Sequence, residues 1–330
     1  MNGSAENIVT FLAQQMVAAA VPLVIAGMGE LVAELAGVIN IGIEGLMLIG
    51  CIAAYVGAGG GNGSVGLAAG VLAGMGMAAI FAFVSISGRA DQIVCGAAIN
   101  IFALGASGTV WTVYRHWRGR HDMSVSLPHG AGFDKWPLPY LAHLPFFGRV
   151  IFDQYSLFYG GVLLGFAVWF MLRFTRMGLI IRSLGESPEA CQAAGIRVRT
   201  WRWGAVLFAG GCAGAAGAYL SIMRTHAFAS DMTGGQGFVV LALVIFGRWS
   251  LAGLTVGCLF FGLINALQQV LQTARYTAHN PLLESLRHIQ FQLFQMLPYL
   301  AALVALAVLS RNRPGPQALG QPWPPVSPGE

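Results

Sequence analysis

Charge is what this sequence has least of: Asp, Glu, Lys and Arg make up 9% of its 330 residues, against roughly 25% in soluble globular domains. That scarcity excludes a water-soluble fold. Cysteine is also sparse. The five, Cys51, Cys95, Cys191, Cys212 and Cys258, are scattered without a CxxC pair, which excludes a disulfide framework or a thiolate zinc site and leaves reduced, small apolar side chains. No HExxH, GxSxG or Walker sequence occurs. Without a Walker lysine the chain cannot hydrolyse ATP itself, so any ATP energy has to enter through a partner. The first apolar run lacks a basic n-region, so it reads as a retained span rather than a cleavable signal. The net charge of +5 comes from arginines beside apolar runs, not from a basic face interleaved with aromatics, which excludes nucleic acid as a partner.

What the chain does have is hydrophobic residues, 56% of the total. They fall into uncharged stretches from Asn7 to Gly29, Gly45 to Gly88, Gln92 to Tyr114, Gln154 to Leu172, Trp203 to Met223, Met232 to Gly247, Trp249 to Ala274 and His288 to Ser310. A helix needs about 20 residues to cross the hydrocarbon core, so Gly45 to Gly88 holds two spans, broken at the glycine cluster 57–66. The expected fold is an all-α polytopic membrane protein of about nine, eight to ten, transmembrane helices with broken or re-entrant segments. Forty-five glycines include small-xxx-small pairs, Gly70 with Gly74, Gly210 with Gly214 and Gly253 with Gly257, spaced for close helix packing in lipid.

Six arginines lie in or beside the sequence GLIIRSLGESPEACQAAGI, between Arg173 and Arg202. The arginine excess places this loop on the cytoplasmic face. It should hold one short helix: Ser187 as cap, Pro188 in the first turn, Glu189 facing the positive dipole end, and Gly195 as the left-handed stop. Counting spans from this anchor makes 115–153 extracytoplasmic, with its arginines there weakening the rule, and puts Arg311 and Arg313 inside. The six prolines after residue 310 predict a disordered tail, 311–330.

Two polar positions lie in GVINIGIEG, where three glycines interrupt an apolar run. Asn40 and Glu44 either line a path, as intramembrane polar groups often do, or serve locally, Glu44 at a helix start and Asn40 on neighbouring backbone. A second interrupted segment, GGQGFVVLALVIFG from Gly234 to Gly247, is short for a span, and such pairs often mark a pathway between structural repeats. Gln236 and Phe238 sit in it. Asn100 and Asn265, each mid-span, read either as interhelical hydrogen-bonding residues or as solute contacts.

GVINIGIEGLMLIG, DQIVCGAAINIFALGASG, GESPEACQAAGI, GAVLFAGGCAGAAGAYLS and GGQGFVVLALVIFGRWSLAG occur in that order. Together they resemble the permease subunits of bacterial ABC importers of the branched-chain amino acid and simple-sugar superfamily, especially its nucleoside-type branch. The resemblance implies a transmembrane permease domain over 1–310, in the cytoplasmic (inner) membrane. It implies as partners two ABC ATPase subunits or one fused ATPase, a second, homologous permease of a different chain, and an extracytoplasmic substrate-binding protein. ATP and Mg would be bound by the ATPase partners, with no cofactor in this chain. Glu186, Ser187, Pro188, Glu189, Ala190 and Gly195 fall on the coupling helix, and Asn40, Glu44, Asn100, Gln236 and Phe238 on the translocation path. The expected cargo is a small neutral polar solute, a nucleoside first and a simple sugar next, moved by alternating access. The rival reading is an ion-gradient-driven secondary transporter with Glu44 as coupling residue.

Overall fold

The computed structural model describes residues 2–118, 127, 131–133, 135–137, 147–277, 296, 300 and 315–323. Its long elements are α1 (Asn2–Leu35), α2 (Ile43–Ala58), α3 (Gly63–Ala82) and α4 (Gln92–Trp117). After the small antiparallel pair β1 (Lys135–Pro137) and β2 (Asp153–Tyr155), with α5 (Phe147–Ile151) between them, come α6 (Ser156–Phe174), α7 (Arg176–Glu186) and α8 (Pro188–Ala193). The chain then continues through α9 (Val198–Ala218), α10 (Gln236–Phe246) and α11 (Leu251–Thr277). The two three-residue strands are the one departure from an all-α expectation among the described residues.

Six of these helices are long and apolar enough to cross a bilayer: α1 from Val9, α3 with the π-helical turn that follows it, α4, α6, α9 with its own π-helical turn, and α11 to Leu271. Helices α2 and α10, at 16 and 11 residues, are apolar but shorter. The chain is therefore a helical, multi-pass membrane protein. Most of the expected span 288–310 and most of the 115–153 loop lie outside the described residues. The break expected at 57–66 is a tight turn, with Asn62 capping α3 by accepting the Ser64 N–H at 3.0 Å.

Small residues set the packing. Helices α2, α3 and α9 meet where Gly50, Gly74 and Gly214 face one another: a β-carbon on Gly50 would lie 2.6 Å from the Gly214 Cα, and one on Gly74 2.8 Å from the same atom. Backbones this close gain dispersion contacts that larger side chains would forfeit, which is how helices associate where lipid removes the hydrophobic drive. By contrast, α4 and α6 present large apolar side chains outward, Ile101 at 75% exposure and Leu163 at 71%. That surface suits hydrocarbon or another apolar chain. Helix α1 runs between α9 and α11 and carries Pro22 in its interior.

The end of the chain departs from the disordered tail expected for 311–330. Residues 315–323 are folded against the bundle, with Ala318 buried. Residues 311–314 and 324–330 lie outside the described residues.

Candidate functional site

Helix α1 ends because Gly37 takes φ +85°. The Val38 N–H then reaches the Ala33 carbonyl at 3.0 Å and the Gly37 N–H the Glu34 carbonyl at 2.9 Å, the paired bonds of a Schellman stop. The chain runs non-helically through 36–42 and starts α2 at Ile43. A second interruption comes before α10. Phe228 packs on Tyr55 and Trp111, three turns along α2 from Glu44, or about 16 Å at 1.5 Å per residue. From there the chain descends without helix until Gly235, at φ +83°, opens α10 beside Glu44. The two expected interruptions thus meet.

Glu44 joins them. One carboxylate oxygen accepts from Thr233 Oγ1 at 2.5 Å and from the Gly235 N–H at 2.8 Å, and the other from the Gly237 N–H at 2.6 Å. The N-terminus of α10 leaves N–H groups without helical partners and carries partial positive charge, so a carboxylate suits it on both counts. Glu44 is itself in the first turn of α2, so two helix starts converge on one carboxyl group. Gly237 makes the approach possible, since a β-carbon there would stand 2.6 Å from the Glu44 Cα and N.

Asn100 fastens α4 to the same break. Its Oδ1 accepts the Gly45 N–H at 2.8 Å and its Nδ2 donates to the Ile41 carbonyl at 2.9 Å. Asn40 is fully buried; its N–H donates to Glu30 at 3.0 Å and its Oδ1 accepts from Gly42 at 3.1 Å. Two neighbouring atoms have no partner: Asn40 Nδ2 and Glu30 Oε2. The structure therefore brings Asn40, Glu44, Asn100 and the start of α10 with Gln236 into one cluster. Phe238 stands apart, 48% exposed. Asn265 bonds the Phe261 carbonyl of its own helix at 3.5 Å, so neither expected role is visible there.

Several members of the cluster escaped sequence reasoning. Glu30 and Glu34 are buried on one face of α1, and Glu34 accepts from Trp249 Nε1 at 2.6 Å. Gln92 Oε1 accepts the Ile39 N–H at 2.8 Å, and Thr233 completes the Glu44 shell. The available signal was the spacing of two glutamates four apart at the end of an apolar run, which places both on one helix face. Nearer the Tyr55 end, a groove of about 800 Å³ on α4 is lined by Gly105, Gly108, Thr109, Thr112, Arg115 and Ser230 among others.

At the other candidate region, Ser187 caps α8 by accepting the Ala190 N–H at 3.3 Å, Pro188 occupies the first turn, and Gly195 has φ +80°. The local shape is the one the sequence predicts. Glu186, Glu189, Ala190 and Gly195 are exposed, whereas Pro188 and Cys191 are buried. Cys191 packs with Leu184 and Val198, and burial raises its thiol above the ordinary range, so it serves as packing. Helix α7, unforeseen, precedes it.

The family described as "Branched-chain amino acid transport system / permease component" matches residues 12–309. A protein of Haloferax volcanii, provisionally named the glucose ABC transporter permease protein TsgC13, is 34% identical over 88% of this chain and 89% of its own length. The guanosine ABC transporter permease protein NupQ of Bacillus subtilis is 33% identical over 92% and 93%. The nucleoside ABC transporter permease protein NupC of Lactococcus lactis subsp. cremoris is 29% identical over 95% and 96%. No solved structure matches the chain.

Proposed function

Because the chain belongs to this ABC permease family, we propose that it is the translocating subunit of an ATP-driven importer, moving a nucleoside, or next a simple sugar, across the bacterial cytoplasmic membrane by alternating access. The partners are two ABC ATPase subunits or one fused ATPase, which bind ATP and Mg, a second homologous permease of a different chain, and an extracytoplasmic substrate-binding protein. The names of the matched relatives favour that cargo, two with nucleosides and one with glucose.

The observation that carries the reading is the α7–α8 unit. Eleven-residue and six-residue helices stand between two spans and are joined at Ser187. Pro188 and Cys191 root the unit, and Glu186, Glu189 and Ala190 face outward. A rooted pair with an exposed face can take a push from a nucleotide-driven partner and pass it on as a rigid body. The ATPases bind there on the cytoplasmic side, and the binding protein docks on the opposite side, where the 115–153 loop lies.

The path runs beside the 36–42 break, with Asn40 and Asn100 as its polar markers and Gln236 and Phe238 at the start of α10. Weak, transient contacts suffice there, because a path must also release what it binds. Glu44 argues against the gradient-driven alternative. Its two oxygens are committed to three donors from the start of α10, whereas a coupling residue has to give up its partners to exchange a proton or cation each cycle. The test is affinity isolation of the tagged chain in mild detergent, followed by thermal-shift screening of any co-purifying binding protein against nucleosides, bases, sugars and riboflavin. Recovery of an ATPase with a nucleoside-stabilised binding protein is expected; an active chain with no ATPase would overturn the reading.

A further inference from the structure

Residues 315–323 are held on the bundle by specific bonds. The Ala318 N–H donates to the Gly185 carbonyl, in the last turn of α7, at 2.8 Å, and the Gly320 N–H donates to the Gly37 carbonyl, at the stop of α1, at 3.2 Å. Trp323 packs where Leu184, Cys191 and Val198 bring α7, α8 and α9 together. The segment thus crosses the place where α7 meets α1, with Gly185 against the Leu35 carbonyl.

Beneath it lies Arg202, 2% exposed, in the first turns of α9. Its Nε donates to the Ala36 carbonyl at 3.2 Å and its Nη1 to the Gln321 carbonyl at 2.8 Å. A buried guanidinium is costly unless its surroundings supply acceptors and negative charge. Here it sits at the C-terminal end of α1, where unpaired carbonyls concentrate partial negative charge. One side chain therefore joins the α1 stop to the docked segment, and the segment in turn bonds Gly185 of α7.

We propose that Arg202 and segment 315–323 are positioning elements that tie the α7–α8 unit to the α1–α2 break, so that displacement of α8 is delivered to Gly37 and, three residues on, to Asn40. This rests on α8 being the ATPase contact. Neither Arg202 nor the segment touches solute.

The experiment uses the complete importer, reconstituted with its co-purifying subunits, and reads solute imported per ATP hydrolysed. A chain ending at Arg313 should keep its ATPase and hydrolysis, while solute per ATP falls about fivefold or more, the lower bound of common coupling strengths. Arg202→Met should act alike, and Arg202→Lys, which keeps a cation at the α1 end, should recover part of the loss. Trp323→Ala loosens the anchor from the surface and should lower the ratio by less; it decides the matter if the truncated chain fails to assemble. An unchanged ratio in Trp323→Ala together with the truncated chain, or in Trp323→Ala alone where truncation prevents assembly, overturns the tie. Glu189→Arg, measured alongside, separates the two readings. Loss of coupling in Glu189→Arg with silent tail variants removes only the tie, whereas an unchanged ratio in Glu189→Arg removes the coupling role of α8 and the tie with it.

Discussion

Asn40 lies in the break between α1 and α2 and Glu44 four residues on, in the first turn of α2, yet the structure uses them in opposite ways. Glu44 spends both oxygens on three donors from the start of α10. Asn40, more deeply buried than Glu44, keeps its Nδ2 unpartnered, as Glu30 does its Oε2. Unmade hydrogen bonds in a buried place are expensive, so a fold that completes one shell and leaves the other open separates two tasks. Glu44 closes the junction between two short helices, and Asn40 and Glu30 each keep one polar atom unpartnered among the described residues.

Three substitutions bear on this contrast. The largest effect is expected from Glu44→Leu, which strands three donors, two of them buried, and should cost about 3 kcal/mol or more. Thermal unfolding in detergent would show a marked drop; an unchanged midpoint would mean that the junction does not depend on the carboxylate. Asn40→Leu strands only the Gly42 N–H, so it should lower that midpoint by less than Glu44→Leu does, leave ATPase association intact and slow solute uptake by roughly fivefold, about 1 kcal/mol of altered coupling or passage. Uptake at the parental rate would make Asn40 a packing residue and end the contrast. The smallest effect is expected from Trp249→Phe, which removes the donor to Glu34 while keeping an aromatic ring. It should lower stability by about 1 kcal/mol, the usual scale for a polar contact between membrane helices, and a larger loss would extend the closed shell to Glu34.

Much of this architecture was legible because lipid leaves few choices: uncharged runs of sufficient length become spans, and glycine clusters between them become turns or breaks. The cap of α8 was readable for a local reason, since Ser187, Pro188 and Gly195 each act within their own turn. Partnerships across distance were not. Nothing near Glu44 in sequence points to Thr233 or Gly237, 189 and 193 residues away. Arg202 was counted as a loop charge because only the folded chain sets it under the α1 stop. The prolines of the last 20 residues suggested disorder, yet the N–H groups of Ala318 and Gly320 find carbonyls that helix ends leave open. Asn100 bridges α4 to the break, whereas Asn265 bonds the carbonyl of Phe261 in its own helix.

The account is tested most directly by solute uptake into vesicles that hold the reconstituted complex, with labelled guanosine or adenosine outside, the binding protein supplied, ATP inside, and ionophores collapsing every ion gradient. The predicted result is accumulation that requires ATP and survives the ionophores. Accumulation that follows an imposed proton or sodium gradient and persists without the ATPase would contradict it, and would return Glu44 to the role of a coupling carboxylate.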